Sequence, residues 1–296
     1  MKRWLAVLLL LLLIFSGCIE AGRTGNSPPA SQREKKEAKV EGEEDKNLSP
    51  AQKWQKHWEE KRKGWSYTAG DLAVPVLMYH KVDRLPPGNK DFNPQAVVSP
   101  ENFEKHLLYL KQQGYETITL TDLYAYVTRG EPLPEKPVVL TFDDGYVDFY
   151  TIVYPLLKKY DMRATLFVLT GAVDQNPNFL TWKQLEELRD YGIEIGAHTV
   201  THPDLTAISS EEVKKELLTS KRELETRLGI KVDFFAYPTG YHNRQVVAQV
   251  QEAGFKGAVL MTPPGKVRRD HNPFLWPRIF VGDEDEKGLS RRLAVR

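Results

Sequence analysis

Residues 138–145, with the sequence VVLTFDDG, decide the fold of this chain. The first five residues are apolar or β-branched, and such a run predicts a β-strand. The two aspartates and the glycine that follow predict a turn where the strand ends. If the fold is of the parallel α/β type, Asp143 and Asp144 lie at the carboxyl end of a strand, where such folds gather their reactive side chains.

Similar runs recur on both sides of this stretch and alternate with helical segments. The predicted strands are residues 74–79, 117–120, 138–142, 164–169, 193–197, 232–237, 256–260 and 278–281. Helices are predicted to begin near Ser99, Asp148, Thr181, Ser209 and Asn243. Alternation of this kind over roughly 220 residues predicts an α/β fold with a parallel sheet, most simply a distorted or incomplete (β/α) barrel of about seven or eight strands.

Length and composition favour one large globular domain with accessory segments. The chain has 296 residues, of which 41% are hydrophobic, enough to build a substantial core. Lys and Arg together number 41 and Asp and Glu 40, so no overall field attracts a charged polymer. We therefore expect no nucleic-acid partner, and we expect a monomer.

The amino terminus has the features of a bacterial lipoprotein signal. Met1, Lys2 and Arg3 supply positive charge, and residues 4–15 are an apolar run too short for the ~20 residues of a membrane span. Residues 15–18 resemble a lipobox that ends at Cys18, the only cysteine. We expect residues 1–17 to be a signal peptide and Cys18 to carry lipid, with the protein held on the extracytoplasmic side of the cell membrane. The alternative is an ordinary secretory signal with an incidental cysteine.

Residues 18–70 read as a polar linker between the lipid and the domain. Residues 20–47 are rich in Lys, Glu, Gly, Ser and Pro, a composition that cannot offset its ordering entropy. Ser49 and Pro50 predict the start of a short helix with Trp54 and Trp58 on one face. These tryptophans either pack on the domain, which we expect at residues 71–296, or contact glycan or membrane.

Titratable residues cluster at the ends of two predicted strands. Asp144 follows one of them, and His198 and His202 follow another. Two imidazoles and a carboxylate suit a divalent first-row metal and leave a position open for water. We expect Zn²⁺, with Co²⁺, Ni²⁺ and Fe²⁺ as alternatives. Asp143 is then placed to take a proton from a water activated by the metal, which is hydrolytic chemistry.

Two motifs, TFDDG at residues 141–145 and HTVTH at residues 198–202, resemble the polysaccharide deacetylase family, carbohydrate esterase family 4, with its NodB homology domain. The resemblance covers about residues 74–281. It implies a distorted (β/α) barrel, a Zn²⁺-type metal and hydrolysis of N-acetyl groups on glycans that contain N-acetylglucosamine. It also implies that Asp143 is the base and that Asp144, His198 and His202 are the metal ligands.

The chain departs from the common pattern of this family in its third motif. Ala236 occupies the position of the usual arginine, and Thr239 that of an aromatic residue. These departures resemble the subgroup that acts on poly-N-acetylglucosamine, in which an early histidine, here His80, supplies the acid. His271, nearer the carboxyl terminus, is the rival acid. Arg278 is a candidate to replace the missing arginine and hold Asp143 ionised, or else a surface-paired residue of an edge strand.

Substrate contacts are predicted beside the third motif. By analogy with the family, the backbone N–H of Thr239 is the best candidate to stabilise an oxyanion. Some aromatic residues either stack on sugars or pack in the core, namely Tyr237, Trp182, Tyr241 and Trp276. Two other functions stay open, a catalytically silent glycan-binding lipoprotein and an O-acetyl esterase of the same fold.

Overall fold

The computed structural model describes residues 48–68, 72–84 and 93–295. The expected signal peptide, Cys18 and residues 20–47 of the linker lie outside these residues. The compact unit comprises Leu48–Arg296. Within the described residues, no helix is both long enough and apolar enough to cross a membrane.

The elements alternate as the sequence predicts. The strands are β1 (Val74–Tyr79), β2 (Lys81–Val82), β3 (Val97–Val98), β4 (Glu116–Ile118), β5 (Pro137–Phe142), β6 (Thr165–Val168), β7 (Glu194–Ala197), β8 (Phe234–Ala236), β9 (Gly257–Val259), β10 (Lys266–Val267) and β11 (Ile279–Phe280). The α-helices are α1 (Pro50–Lys63), α2 (Pro100–Gln112), α3 (Leu120–Arg129), α4 (Tyr154–Tyr160), α5 (Trp182–Tyr191), α6 (Ser210–Leu228), α7 (Arg244–Glu252) and α8 (Glu286–Leu293). A π-helical turn, Phe149–Val153, precedes α4.

The main sheet curls into a barrel. Its strand order is β10-β1-β5-β6-β7-β8-β9, with β4 paired to β5 and β11 paired to β1. The pairings among these strands are parallel except that of β10 with β1. The segment just before β11 also pairs with the opposite edge of the sheet, where Trp276 forms a parallel bridge with Val259 of β9. Because β11 itself pairs with β1, this segment links the two sides of the curled sheet. The expected distorted (β/α) barrel is therefore confirmed.

Side chains from the two faces of the strands fill two separate apolar layers. Every residue of β1 and β5 is buried. Val76 and Val139 belong to the smaller cluster, together with Trp276, whereas Leu77 and Leu140 belong to the larger cluster that packs on the helices. A strand buried on both faces reads as a continuous apolar run, as in residues 138–142.

The helix predicted after Pro50 packs on the domain. It is α1, capped by Ser49, whose side chain accepts a hydrogen bond from the backbone of Gln52. Trp58 is 2% exposed, and the ring of Trp54 stacks on Tyr191 with centroids 4.3 Å apart. Of the two roles considered for these tryptophans, packing on the domain is the one observed.

Candidate active site

Asp143 and Arg278 form a buried ion pair at the end of β5. Nη1 and Nη2 of Arg278 donate hydrogen bonds to Oδ1 and Oδ2 of Asp143, both at 2.7 Å. Arg278 also donates from Nε to the carbonyl of Leu260 at 2.9 Å and from Nη1 to Oγ1 of Thr141 at 3.1 Å. Burial alone would raise the pKa of Asp143, but the charge and hydrogen bonds of Arg278 outweigh it and lower that pKa. Asp143 is therefore held as an oriented carboxylate.

Asp144, His198 and His202 lie together beside this pair. Their ligand atoms fall within 4.8 Å of one another. Oδ1 of Asp144 is 3.4 Å from Nε2 of His198 and 3.7 Å from Nε2 of His202. Two donors bound tetrahedrally to one ion, each at ~2.1 Å, are about 3.4 Å apart, so both separations from Asp144 suit donors that share one divalent ion.

The histidine rings are oriented for this arrangement. Nδ1 of His198 lies 2.8 Å from the carbonyl of Ala236, so this nitrogen carries a proton and Nε2, on the side of Asp144, is the ring atom that a metal would bind. Burial alone would lower the pKa of His198, but the hydrogen bond to Asp144 and the charges of Asp143 and Asp144 outweigh it and raise that pKa. Burial and the neighbouring His198 lower the pKa of His202. A lowered pKa favours the neutral imidazole, the form that binds a metal.

The backbone around the site adopts strained conformations. Asp144, Thr199, His202 and Thr239 all have φ between 60° and 75°, the left-handed region that costs energy for residues other than glycine. These four are a majority of the six non-glycine residues with positive φ among the described residues. Such strain persists only where the surroundings impose it, and it commonly marks a functional site.

The loop that carries the two histidines is fixed by Glu216 of α6. Its carboxylate accepts hydrogen bonds from the backbone N–H of Val200 at 2.7 Å, the N–H of Thr201 at 3.0 Å and the hydroxyl of Thr201 at 2.7 Å. Inside the loop, Oγ1 of Thr199 accepts a hydrogen bond from the N–H of His202 at 3.0 Å. The sequence gives no signal for Glu216, which lies in the middle of an ordinary polar helix.

His80 lies at the end of β1, next to β5, on the same face of the sheet. Its Nε2 is 3.9 Å from Oδ2 of Asp143, and its buried Nδ1 has no hydrogen-bond partner among the described residues. The following residue, Lys81, is buried and binds Oδ1 of Asp148 at 2.9 Å. The N–H of Val82 donates to the other oxygen of Asp148 at 2.7 Å. This anchor fixes the backbone that carries His80, and sequence reasoning missed it.

Tyr146 is a further neighbour that sequence reasoning missed. Burial raises the pKa of its hydroxyl, as do the charge of Asp144 and a hydrogen bond to that carboxylate. Its ring packs on Phe179 with centroids 4.9 Å apart. Tyr146 follows the TFDDG motif directly, and that position is the one signal that could have identified it.

The structure separates His271 from these residues. β10 pairs antiparallel with Val74 and Pro75, at the amino end of β1. Because β1 runs from Val74 towards His80, the chain leaves β10 at the end of the barrel opposite His80. His271 lies in the loop that follows β10, so the geometry favours His80 over His271 as a neighbour of Asp143.

The candidate substrate residues fall into two groups. Thr239, with φ 60° and ψ −7°, lies just beyond β8 in the helical turn Pro238–Gly240, close in sequence to the carbonyl of Ala236 that holds His198. Tyr237 is 1% exposed and donates its hydroxyl to the carbonyl of Phe274 at 3.1 Å, and Trp276 is fully buried. The rings of Tyr237 and Trp276 pack in the core and offer no face to a sugar.

The sequence of this chain is similar to those of known proteins. The model of the polysaccharide deacetylase family matches residues 130–258. YxkH of Bacillus subtilis, assigned by name to the polysaccharide deacetylases, is 30% identical over 264 residues, which cover 88% of this chain and 86% of YxkH. The poly-beta-1,6-N-acetyl-D-glucosamine N-deacetylase of Staphylococcus aureus is 28% identical over 208 residues, which cover 66% of this chain and 71% of that enzyme.

A solved structure has the same fold. The deacetylase PplD of Streptococcus pyogenes, solved in complex with acetate, superposes with a TM-score of 0.70 at 30% sequence identity. The superposition covers 75% of this chain and 98% of PplD.

Proposed function

This chain belongs to the polysaccharide deacetylase family, and we propose that it is a metal-dependent hydrolase that removes N-acetyl groups from a polysaccharide containing N-acetylglucosamine at the cell surface. One observation carries the proposal. A buried carboxylate, Asp143, is held by Arg278 beside a cluster of three potential metal ligands, Asp144, His198 and His202. Together these residues provide a base and a metal site at one end of the barrel.

The donor set suits Zn²⁺, with Co²⁺, Ni²⁺ and Fe²⁺ as alternatives. Imidazole and carboxylate are the donors these ions share, and three protein ligands leave further positions open. A bound divalent ion would supply Lewis acidity, polarising the acetamide carbonyl and lowering the pKa of a water. Asp144, His198 and His202 would hold it.

Asp143 acts as the general base in this proposal. It is an ionised carboxylate next in sequence to the ligand Asp144, and the two hydrogen bonds from Arg278 fix its orientation. A general base must lie within hydrogen-bond reach of the proton that it abstracts. Asp143 is placed to accept the proton of the attacking water, and Arg278 positions it without touching the substrate.

His80 acts as the general acid. Its ring approaches Asp143 from the neighbouring strand, and it is partly exposed, with 20% of its side chain accessible. In this proposal His80 protonates the departing amine when the C–N bond breaks. Departure of the amine leaves acetate as the second product.

The backbone N–H of Thr239 is proposed to stabilise the oxyanion that forms on the acetyl carbonyl. A backbone donor does not depend on the side chain, so the loss of the family's aromatic residue at this position leaves such a donor in place. The left-handed conformation of Thr239 is the kind of imposed strain that aims a backbone group.

The choice of N-acetylglucosamine rests on the family and on the departures in the third motif. A relative that covers two thirds of this chain is a deacetylase of the β-1,6-linked polymer. The O-acetyl esterase and the silent glycan-binding protein are the competing functions. Retention of the base and all three ligands argues against the silent protein.

Acetate release from purified protein tests the proposal. The substrates are poly-β-1,6-N-acetylglucosamine, chitooligosaccharides, peptidoglycan and acetylated xylan, each with Zn²⁺, with Co²⁺ and after chelation. We expect release from one of the first three that stops on chelation. Release from xylan alone identifies an O-acetyl esterase, and no release from any substrate with loaded metal contradicts the proposal.

We also propose that lipid on Cys18 holds the enzyme on the extracytoplasmic side of the membrane. The support is the short apolar run with its lipobox-like end. Cys18→Ser should shift the protein from the detergent phase to the aqueous phase in a bacterial host. Identical partitioning and identical amino-terminal mass of the two forms would contradict the anchor.

A further inference from the structure

Exposed apolar side chains point to a second binding feature. In the part of the chain that the structure describes, three large hydrophobic side chains are exposed, Leu108 (41%), Tyr241 (63%) and Met261 (37%). Tyr241 and Met261 follow β8 and β9, which are adjacent parallel strands. Gly240 approaches Met261 so closely that a Cβ added to Gly240 would lie 2.7 Å from that of Met261. Tyr241 and Met261 thus extend from loops in contact, and we call the two residues the rim patch.

The rim patch borders the candidate active site. The carbonyl of Ala236, the last residue of β8, accepts the hydrogen bond of His198. The carbonyl of Leu260, next to Met261, accepts the hydrogen bond of Arg278. Each of the two strand ends that carry the patch is therefore bonded to a residue of the site.

Tyr241 is held in place by its neighbours. Thr239 and Gly240 both have positive φ, 60° and 79°, and they turn the chain just before Tyr241. The ring of His242, just after it, packs on buried Tyr237 with centroids 5.5 Å apart. The backbone is thus fixed on both sides while the Tyr241 ring faces solvent. An aromatic side chain fixed in this way has only two torsions to order on binding.

We propose that the rim patch binds the sugar unit next to the one that is deacetylated and so makes the enzyme prefer polymers to short substrates. A pyranose ring presents a face of C–H groups, which packs on an aromatic ring, and Met261 offers an adaptable apolar surface beside it. Exposed apolar residues scattered singly are normal, but two in adjacent loops beside a catalytic centre form a surface. This inference rests on the proposed function for the identity of the sugar.

The test compares chain lengths. Steady-state kinetics are measured with the monosaccharide N-acetylglucosamine and with the pentasaccharide of β-1,6-linked N-acetylglucosamine for Tyr241→Ala, Tyr241→Phe and Met261→Ala. Leu108→Ala, which removes the other large exposed apolar side chain of the described residues, on α2, is the control. We expect Tyr241→Ala to raise KM for the pentasaccharide about three- to tenfold, while kcat and the kinetics with the monosaccharide, which has no adjacent sugar unit, stay within twofold. Tyr241→Phe should restore KM, and Met261→Ala should raise it in the same direction.

Several results would overturn the inference. These are an unchanged KM in Tyr241→Ala, an equal loss with both substrates, or the same effect in Leu108→Ala. Binding of the pentasaccharide, measured by calorimetry, needs no turnover. It therefore tests the rim patch independently of whether the protein is a deacetylase. If wild-type protein binds the pentasaccharide but releases no acetate, the proposed function fails, and the affinity of Tyr241→Ala then decides the role of the rim patch.

Discussion

Arg278 donates one hydrogen bond to each carboxylate oxygen of Asp143, although the two residues are 135 positions apart in the chain. Both are almost inaccessible to water, at 1% and 3% exposure. A bidentate pair of this kind fixes the plane of the carboxylate as well as its charge. Ala236 stands where the family's motif usually has arginine, so the guanidinium here comes from the segment that enters β11.

Replacing Arg278 should lower both the stability and the activity of the protein, whereas replacing another buried arginine should lower only its stability. Arg278→Met leaves Asp143 buried without its partner, so we expect a loss of roughly 3–5 kcal/mol in the free energy of unfolding and a fall of about 10²-fold or more in kcat/KM for the folded fraction. Arg163→Met is the control, because Arg163 is another largely buried arginine, 3.3 Å from Asp122 and away from the site. It should lower stability and leave kcat/KM nearly normal. Urea unfolding and kinetics give the two quantities, and equal activity losses in both variants would show that Arg278 has only a structural role.

Metal content should follow His198 and His202. We expect one divalent ion per wild-type chain, and His198→Ala and His202→Ala should each retain little after dialysis, since each removes one of three ligands. His242→Ala, a change of a histidine outside the ligand cluster, is the control and should keep its metal. Elemental analysis after loading with Zn²⁺ measures this. Full occupancy in the double variant of His198 and His202 would rule out the site.

Glu216 should influence metal affinity without being a ligand. Glu216→Ala removes the acceptor for two backbone N–H groups of the histidine loop, so we expect affinity for Zn²⁺ to fall about 10–100-fold. Glu223→Ala, which changes a carboxylate elsewhere on α6, should have no such effect. Competition with a chromophoric chelator gives both affinities. Wild-type affinity in Glu216→Ala would mean that the loop holds its shape without this contact.

His106 should make stability depend on pH. Burial lowers its pKa, despite the opposing influence of the Glu284 carbonyl and of acidic residues nearby. The folded state therefore favours neutral His106, whereas the unfolded chain takes up a proton below about pH 6.5. The contribution of neutral His106 is present above that pH and is lost as the pH falls below it. His106→Gln should show a smaller drop in the free energy of unfolding between pH 7.5 and pH 5.5, measured with urea, and an equal drop would contradict this.

The sequence analysis predicted eight of the eleven strands that the structure describes, missing β2, β3 and β10, and all the described α-helices except α3 and α8. Runs of β-branched and apolar residues predicted the strands on which the barrel is built, because buried parallel strands need such residues on both faces. It missed α3, which follows β4 directly and contains Tyr124, Tyr126 and Val127, residue types that favour strands. Tertiary packing, together with the capping box of Thr119 and Asp122, overrides that preference.

The site shows the same limit of local reasoning. Asp143, Asp144, His198 and His202 were identified because each follows a strand run within a compact motif. Glu216 could not be identified from the sequence, because its contacts depend on how α6 packs against the loop that carries the two histidines. Tyr237 was proposed to contact substrate, yet its ring faces the core, because the three-residue strand β8 ends just before it and no alternation indicated its direction.

The assignment of base and acid is the most direct test of the mechanism. Asp143→Asn removes the proton acceptor and His80→Ala the donor, and loss of either group typically costs ~10²–10⁴ in rate. Both variants should keep their metal, since neither residue is among the three clustered ligands. His271→Ala should be nearly normal, because His271 follows β10 at the opposite end of the barrel. Acetate release by the three variants, with metal content measured in each, decides the matter. If His271→Ala lost most of its activity and His80→Ala were nearly normal, His271 would be the general acid. Normal activity in Asp143→Asn would mean that another residue is the base.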